Sequence, residues 1–214
     1  MKLYDYYRST ASYRVRIALN LKQLPFECIP VHLVRDGGEQ HLPAYRALNP
    51  QSLVPTLLDE NQSIITQSIA ILEYLEEAHP TPALLPKDLH ARAFVRSLAL
   101  IIACDIHPLN NLRVLKQLKH QFNASESDVS TWYHHWLKVG FDAFETKLSA
   151  SNQNNPNFCD GNQISFADIC LIPQVFNAER FKFSLEPYPL IQAINTHCLS
   201  LKAFQNAAPI EAST

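Results

Sequence analysis

A proline-rich stretch at residues 80–86 divides the chain into two halves whose hydrophobic patterns differ. It reads Pro-Thr-Pro-Ala-Leu-Leu-Pro. Because proline fixes its own φ and lacks a backbone N–H, this stretch favours a stiff connection over a regular helix or a central strand. Short strand and helix patterns alternate before it, whereas almost only helical patterns follow it. With 214 residues, the chain is long enough for two domains.

The pattern of the first half predicts a small α/β domain. Apolar residues at Val15, Ala18 and Leu19 have the i, i+3, i+4 spacing of a helix face. Residues 36–38 and 59–62 carry turn signals between apolar runs. The predicted order is a strand at 2–7, a helix at 12–23, a strand at 26–33, a short helix at 40–48, strands at 54–58 and 63–66, and a helix from residue 67.

The second half predicts an all-helical domain. Ser165 and Asp168 have the spacing of a capping box, which marks the start of one helix. The predicted helices lie at residues 91–106, 111–121, 129–149, 166–176 and 189–201. The fold class is therefore α/β followed by all-α, with an N-terminal domain at 1–80, a linker at 81–88 and a helical domain at 89–214.

Composition and motifs exclude several kinds of function. The net charge of −2 predicts no nucleic-acid partner and no acidic membrane surface. No GxGxxG, GxxxxGK[ST] or HExxH motif occurs, and the neighbours His134 and His135 point in different directions on a helix, so we expect no metal site. The five scattered cysteines predict buried thiols in a reducing compartment, hence a cytoplasmic protein. No membrane span or targeting leader is expected.

A cluster of hydroxyl side chains precedes the first predicted helix. The aromatic run of the first strand stops at Arg8, and Ser9, Thr10 and Ser12 follow. Hydroxyls at such a turn lie beside unpaired N–H groups and the positive end of the helix dipole. The turn therefore suits an anion, including a thiolate supplied by a ligand. The alternative is an ordinary helix cap, which is the role we predict for Ser12.

Residues 9–19 resemble the active-site motif of the zeta-class glutathione transferases. They read Ser-Thr-Ala-Ser-Tyr-Arg-Val-Arg-Ile-Ala-Leu, where the class usually has Ser-Ser-Cys-x-Trp-Arg-Val-Arg-Ile-Ala-Leu. The motif cysteine is replaced by Ala11, so no protein thiolate forms at this position, which fits a thiol supplied by glutathione. Residues 36–40, 48–50, 54–57, 67–71 and 177–181 also resemble that class.

The resemblance implies a fold, an activity and a cofactor. It implies a thioredoxin-like domain followed by a helical-bundle domain, assembled as a homodimer, with glutathione as the cofactor. The activity it implies is the glutathione-dependent cis–trans isomerisation of maleylacetoacetate to fumarylacetoacetate in tyrosine and phenylalanine breakdown. A maleylpyruvate isomerase, a transferase that conjugates glutathione to small electrophiles, and a non-catalytic binding module remain alternatives. The substrate would be a small dicarboxylate.

The resemblance also implies the site residues. Ser9 is the first candidate for stabilising the thiolate, and Thr10 is the second. Arg14 is undecided between a substrate role and a structural one, and Arg16 is expected at the surface, solvated or paired. The implied glutathione contacts are Ser9, Thr10, Gln40, Val54, Pro55 (after a cis peptide bond), Gln67, Ser68, His107 and Asn111. The implied substrate contacts are Arg8, Arg180, Arg113 and His107, of which the arginines suit carboxylates.

Overall fold

The computed structural model describes residues 1–151 and 157–210, which form two compact units. One unit comprises Met1–Ala83 together with the segment that begins at Leu201, and the other comprises Leu84–Ser200. The division after Ala83 falls inside the predicted linker. The C-terminal segment differs from the prediction, which assigned it to the helical domain, because it packs in the first unit.

The first unit contains a four-stranded mixed sheet with helices. Its elements up to the linker are β1 (Lys2–Asp5), α1 (Thr10–Leu21), β2 (Glu27–Pro30), 3₁₀ turns at Arg35–Gly37 and Glu39–His41, α2 (Pro43–Leu48), β3 (Thr56–Leu58), β4 (Ile64–Thr66) and α3 (Ser68–Ala78). The strand order is β2-β1-β3-β4, with β1 parallel to β2 and antiparallel to β3. The element order matches the sequence-based prediction, and this arrangement confirms the predicted α/β class.

The core of this unit lies around the central strand β1. Leu3 pairs with Cys28 on one side and with Leu57 on the other, and its side chain is fully buried. The predicted apolar face of α1, including Val15 and Leu19, is also fully buried. Burying these side chains stabilises the unit by roughly 1.5–3 kcal/mol each.

The second unit is helical. It contains α4 (Leu89–Leu100), a π-helical turn (Ile101–Ile106) that continues it, α5 (Leu112–Phe122), α6 (Glu126–Ala150), α7 (Phe166–Arg180) and α8 (Pro189–Leu199). Tyr133, Leu137, Phe141 and Phe144 form the buried stripe of α6. In the predicted capping box, the backbone N–H and hydroxyl of Ser165 both donate to the Asp168 carboxylate at 2.8 Å.

The last described helix, α9 (Lys202–Ala207), is part of the first unit, where two side chains of α1 donate hydrogen bonds to it. Arg16 donates from Nε to the Ala207 carbonyl at 2.9 Å, and Asn20 donates to the Ala203 carbonyl at 3.2 Å. Arg16 also forms an ion pair with Asp5 at 2.6 Å. The prediction of a surface position for Arg16 is therefore wrong: its side chain is buried because it joins α1, β1 and α9.

In the part of the chain that the structure describes, no helix is both long enough and apolar enough to cross a membrane.

Candidate functional site

The hydroxyl turn lies at the N-terminus of α1, and its first serine is the helix cap. Ser9 has extended backbone angles, and its Oγ accepts a hydrogen bond from the Ser12 N–H at 3.2 Å. The prediction that Ser12 is the cap is therefore wrong, because Ser12 lies inside the first helical turn and is fully buried. A hydroxyl has one donor and two acceptor sites. Capping consequently leaves the Ser9 proton for a second partner.

The two candidate hydroxyls differ in exposure. Ser9 is half-buried, whereas Thr10 is only 2% exposed. Ala11, in place of the motif cysteine, is also buried. A ligand that approaches from solvent therefore reaches Ser9 more readily than Thr10, while the first N–H groups of α1 add the positive end of its dipole.

Arg8 lies on aromatic side chains next to this turn. Its guanidinium donates to the Tyr6 hydroxyl from Nη2 at 2.8 Å and from Nε at 3.2 Å. The same group lies 5.1 Å from the centre of the Tyr7 ring, within the range of a cation–π contact. Tyr6 and Tyr7 thus hold the guanidinium of Arg8, the residue before Ser9 in the sequence.

Strand register brings three predicted contact segments to one edge of the sheet. Tyr4 pairs with Thr56, and Thr56 pairs with Thr66. Since both pairings are antiparallel, the end of β1, the start of β3 and the end of β4 lie together. The hydroxyl turn, Val54 with Pro55, and Gln67 with Ser68 are the segments that extend β1, β3 and β4 at this edge.

The Val54–Pro55 peptide bond is cis, which confirms the conformation that the resemblance implied. Both residues are buried, and Val54 belongs to a hydrophobic cluster with Tyr6, Val31 and Tyr45. This cluster packs the start of β3 against the residues just before the hydroxyl turn.

Gln67 and Ser68 form the N-terminus of α3. Gln67 precedes the helix with a φ of 70°, and its side chain donates to Gln51 at 2.6 Å. Ser68 is buried, and its Oγ accepts from Arg14 at 3.2 Å. Arg14 therefore has a structural contact between α1 and α3. Its buried charge also lies beside helix N–H groups that suit a carboxylate.

Gln40 lies in the 3₁₀ turn at Glu39–His41 and is buried. Its side-chain amide donates to the Leu33 carbonyl at 3.4 Å, which is a weak hydrogen bond. Gly38 has a φ of 109° and packs directly against this side chain, so a larger residue at that position would overlap with Gln40.

The predicted contacts of the second unit lie at helix ends. His107 follows the π-helical turn and is half-buried. Asn111 caps α5, where its Oδ1 accepts from the Arg113 N–H at 3.1 Å, and the Arg113 side chain is exposed. Arg180 is the last residue of α7, is exposed, and donates to the Asn177 Oδ1 at 2.8 Å.

Tyr133 of α6 contacts Asn110 and Phe181, the residues next to Asn111 and Arg180 in the sequence. The sequence patterns did not indicate this role. Its carbonyl accepts from the Asn110 side chain at 3.1 Å, and its ring stacks on Phe181 with centres 3.7 Å apart. Burial raises the pKa of the Tyr133 hydroxyl, and the nearby Arg180 charge offsets only part of this rise. Tyr133 is therefore a neutral phenol that links residues adjoining Asn111 and Arg180.

The hydroxyl turn itself contains no cysteine, and the described residues form no metal centre there. All five cysteines are free thiols; burial raises the pKa of Cys159 and Cys198 and, together with the Asp5 charge, that of Cys28. Within residues 1–151 and 157–210, no group of three or more His, Cys, Asp or Glu side chains is arranged to hold a metal ion. The Ser9 hydroxyl and the N-terminus of α1 are groups that suit an anion.

Two family models match the chain. The model of the N-terminal domain of glutathione S-transferase matches residues 3–83, and that of the C-terminal domain matches residues 136–202. The chain therefore belongs to the glutathione S-transferase family. A solved structure described as the holo form of maleyl pyruvate isomerase, a bacterial zeta-class member, is 46% identical with a TM-score of 0.95 and full coverage of both chains. This likeness confirms the resemblance to the zeta class.

Other relatives have related names. Probable maleylacetoacetate isomerase of Vibrio cholerae is 47% identical over 97% of this chain and 94% of that protein. Maleylpyruvate isomerase of a Ralstonia species is 49% identical over 98% and 97%. A maleylacetoacetate isomerase structure from Methylobacterium extorquens AM1, with bound malonate and glutathione, is 39% identical with a TM-score of 0.91, covering 98% of this chain and 96% of that one.

Proposed function

We propose that this protein is a glutathione-dependent isomerase that converts maleylacetoacetate into fumarylacetoacetate in tyrosine and phenylalanine breakdown. The observation that carries the proposal is identity of 47% over 97% of the chain to a relative named for this activity. The hydroxyl turn would stabilise the thiolate, and Arg8 and Arg180 would bind the substrate carboxylates.

The residues at the sheet edge fit glutathione, which has two carboxylates and one thiol. The N-termini of α1 and α3 offer the positive ends of their helix dipoles, and Ser9 offers a hydroxyl proton. Ser68 and Gln67 would hold the γ-glutamyl carboxylate, and Val54 with Pro55 would pair with the cysteinyl backbone. Gln40, Thr10, His107 and Asn111 complete the proposed contacts.

Glutathione, when bound, supplies the thiolate that adds to the double bond, allows it to rotate as a single bond, and is expelled again. The task of the protein is to lower the pKa of that thiol, which is about 8.5 when free. A hydrogen bond to a charged group contributes about 1.5–3 kcal/mol, and one pKa unit corresponds to about 1.4 kcal/mol. Donation by Ser9 therefore suffices to lower the thiol pKa by about one to two units.

The substrate is a dianion, and the proposed anchors are cationic. Arg8 lies beside Ser9, and Arg180 is held by Asn177 against the rings of Phe176 and Phe181. A guanidinium is a group that can pair with a carboxylate through two parallel hydrogen bonds. Arg113 and His107 are additional proposed contacts.

A second candidate activity is maleylpyruvate isomerisation, which the 49% identity to the Ralstonia enzyme favours. Both substrates carry two carboxylates, so the same arginines serve either one. Conjugation of glutathione to an apolar electrophile is less compatible with these cations, and a non-catalytic binding role is less compatible with a complete hydroxyl turn.

The deciding experiment compares both maleyl substrates in the presence and absence of glutathione, followed by ultraviolet absorbance and by titration of total thiol. We expect isomerisation that depends on glutathione and leaves the thiol concentration unchanged. Stoichiometric loss of thiol would instead identify a conjugating transferase. Absence of glutathione binding in calorimetry would identify a binding module.

The proposal extends to assembly and location. We expect a homodimer, as in the family, and measurement of molar mass by light scattering checks it. We also expect the cytoplasm, because five free thiols suit a reducing compartment. Cell fractionation with detection of the native protein tests the location.

A further inference from the structure

A closed ring of buried hydrogen bonds lies behind the start of β3. Its side chains are those of Tyr45, Asn49 and Thr56, which are 6%, 2% and 0% exposed. Tyr45 and Asn49 both donate to the carbonyl of Leu53, and Thr56 bonds to Tyr45 and Asn49. Tyr45 and Asn49 belong to α2 and its C-terminus, whereas Leu53 immediately precedes Val54. The ring thus joins α2 to the segment proposed to bind the glutathione backbone.

The direction of each hydrogen bond follows from the donors available. The Gln51 N–H meets Asn49 at 3.1 Å, so the atom that it meets is the amide oxygen. The Asn49 nitrogen therefore faces Leu53 O at 2.8 Å and Thr56 Oγ1 at 3.2 Å, and it donates one hydrogen to each. Both hydrogens of the amide are used.

The remaining two hydrogens are assigned in the same way. The Tyr45 hydroxyl lies 2.6 Å from Leu53 O, which only accepts, so its single hydrogen goes there. Tyr45 and Thr56 are 3.0 Å apart, and Thr56 must then donate to the Tyr45 oxygen. The Leu53 carbonyl therefore accepts two hydrogen bonds, and no donor of the three side chains is left without an acceptor.

The ring leaves little freedom to the backbone that follows it. Tyr45 is held on its other side by the hydrophobic cluster with Tyr6, Val31 and Val54. Thr56 is the first residue of β3 and pairs with Tyr4. The Leu53 carbonyl and Thr56 are thus fixed on both sides of Val54 and Pro55. A fully satisfied buried network of this kind specifies one arrangement, whereas a partly satisfied one does not.

We infer that Asn49, with Tyr45 and Thr56, is a positioning residue that sets the Val54–Pro55 backbone for glutathione binding. This inference rests on the proposed function, in which that backbone pairs with the cysteinyl unit. Asn49 touches neither the thiol nor the substrate carboxylates in this scheme. Its loss should therefore weaken binding of the tripeptide backbone and leave the reacting sulfur unaffected.

The test measures the Kd for glutathione and for γ-glutamyl-alanyl-glycine, which has the same backbone but no thiol. We expect Asn49→Ala to raise both values by about 10-fold, because the carbonyl loses one donor and the threonine another. We expect Tyr45→Phe to raise both by about three- to tenfold on the same grounds. The kcat at saturating glutathione should stay within about twofold.

A matched control is Tyr74→Phe, which removes one hydroxyl from the same unit, where it donates to Asp59 at 2.9 Å after the other end of β3. It should leave both Kd values unchanged. Thr56→Ser should also preserve binding, because it keeps the hydroxyl, whereas Thr56→Val should not. If Asn49→Ala does not fold, Tyr45→Phe and Thr56→Val decide the question.

The inference is overturned if the folded variants bind both tripeptides as tightly as the unmodified protein does, even when their Tm is lower. It is also overturned if they lower kcat while Kd is unchanged. Failure of the unmodified protein to bind glutathione at all would contradict the proposed function instead.

Discussion

Ser9 combines two roles that substitutions can separate. As the cap of α1, its Oγ accepts from Ser12 at 3.2 Å, and as the proposed thiolate donor it gives its proton to glutathione. Ser9→Ala removes both. Loss of the cap should cost about 1 kcal/mol of unfolding free energy, or roughly 2–4 °C in Tm for a chain of this size. Loss of the donor should raise the pKa of the bound thiol by about one to two units.

The effect on turnover follows from the thiolate fraction. When the thiol pKa returns from about 6.5–7.5 to about 8.5, the thiolate fraction at neutral pH, and with it the rate, falls by about 8- to 25-fold. Ser9→Asp is the control that separates the roles, because aspartate is also a good cap but has no proton to donate. It should retain stability and lose turnover as severely as Ser9→Ala does. Ser9→Thr should retain both.

The assay is an ultraviolet titration of the thiolate in the protein–glutathione complex, together with turnover and thermal unfolding. The reasoning would be refuted if Ser9→Ala kept the thiol pKa of the unmodified protein while Thr10→Ala raised it. In that case the buried hydroxyl, and not the half-buried cap, would be the donor.

Three further predictions concern the framework of the site. Arg16→Met leaves the buried Asp5 carboxylate without its ion-pair partner and should cost about 3–5 kcal/mol in urea unfolding. Hydrogen bonds, chiefly from the Ser63 N–H, lower the pKa of Asp59 in the folded protein. The ionised carboxylate therefore stabilises the fold fully above a pH of about 4, and this stabilisation is lost as the pH falls through the folded-state pKa. Asp59→Asn should therefore flatten the dependence of Tm on acid pH. Gly140→Ala should cost about 1–3 kcal/mol and lower turnover, because its methyl group would overlap with Ile106, next to His107.

Two of these predictions have matched controls. Lys138→Met breaks an exposed ion pair with Asp142 and should change stability by less than about 0.5 kcal/mol. An equally small effect of Arg16→Met would contradict a structural role for the buried pair. Tyr74→Phe removes one of the hydrogen bonds to Asp59 and should flatten the acid limb only partly. An unchanged acid limb in Asp59→Asn would show that this carboxylate is not responsible for it.

The overlap at Gly140 is tested by making room for the new methyl group. Gly140→Ala combined with Ile106→Val should recover part of the lost stability, since the isoleucine atoms nearest to the added group include its terminal methyl. Absence of recovery would mean that the cost of Gly140→Ala arises elsewhere.

Secondary structure and family membership followed from local features of the sequence. Turn signals and the change in hydrophobic period placed β1, α1, β3 and α3, because such signals depend on residues a few positions apart. The predicted ends were less accurate: α7 continues past the predicted residue 176 to Arg180. The cap of α1 is Ser9 and not Ser12, because the helix starts at Thr10, two residues before the predicted start.

Long-range contacts account for what the sequence patterns missed. The C-terminal segment was predicted to belong to the helical domain, without a helix of its own, but α9 belongs to the first unit because Arg16 and Asn20 bind its carbonyls. The hydrophobic pattern gave no indication of the ring of Tyr45, Asn49 and Thr56. Its hydrogen bonds depend on the tertiary course of the chain, which brings the Leu53 carbonyl to Tyr45 and Asn49.

The sequence by itself determined the order of helices and strands, the hydroxyl turn before α1 and the family to which the chain belongs. These depend on hydrophobic period, turn residues and short motifs, all of which act between near neighbours. Only the tertiary structure decided that Ser9, Val54 and Ser68 extend strands at the same sheet edge, that Arg16 is buried, and that Tyr133 links two helix ends. Strand register and side-chain packing join residues that are distant in sequence, and no local pattern specifies such pairs.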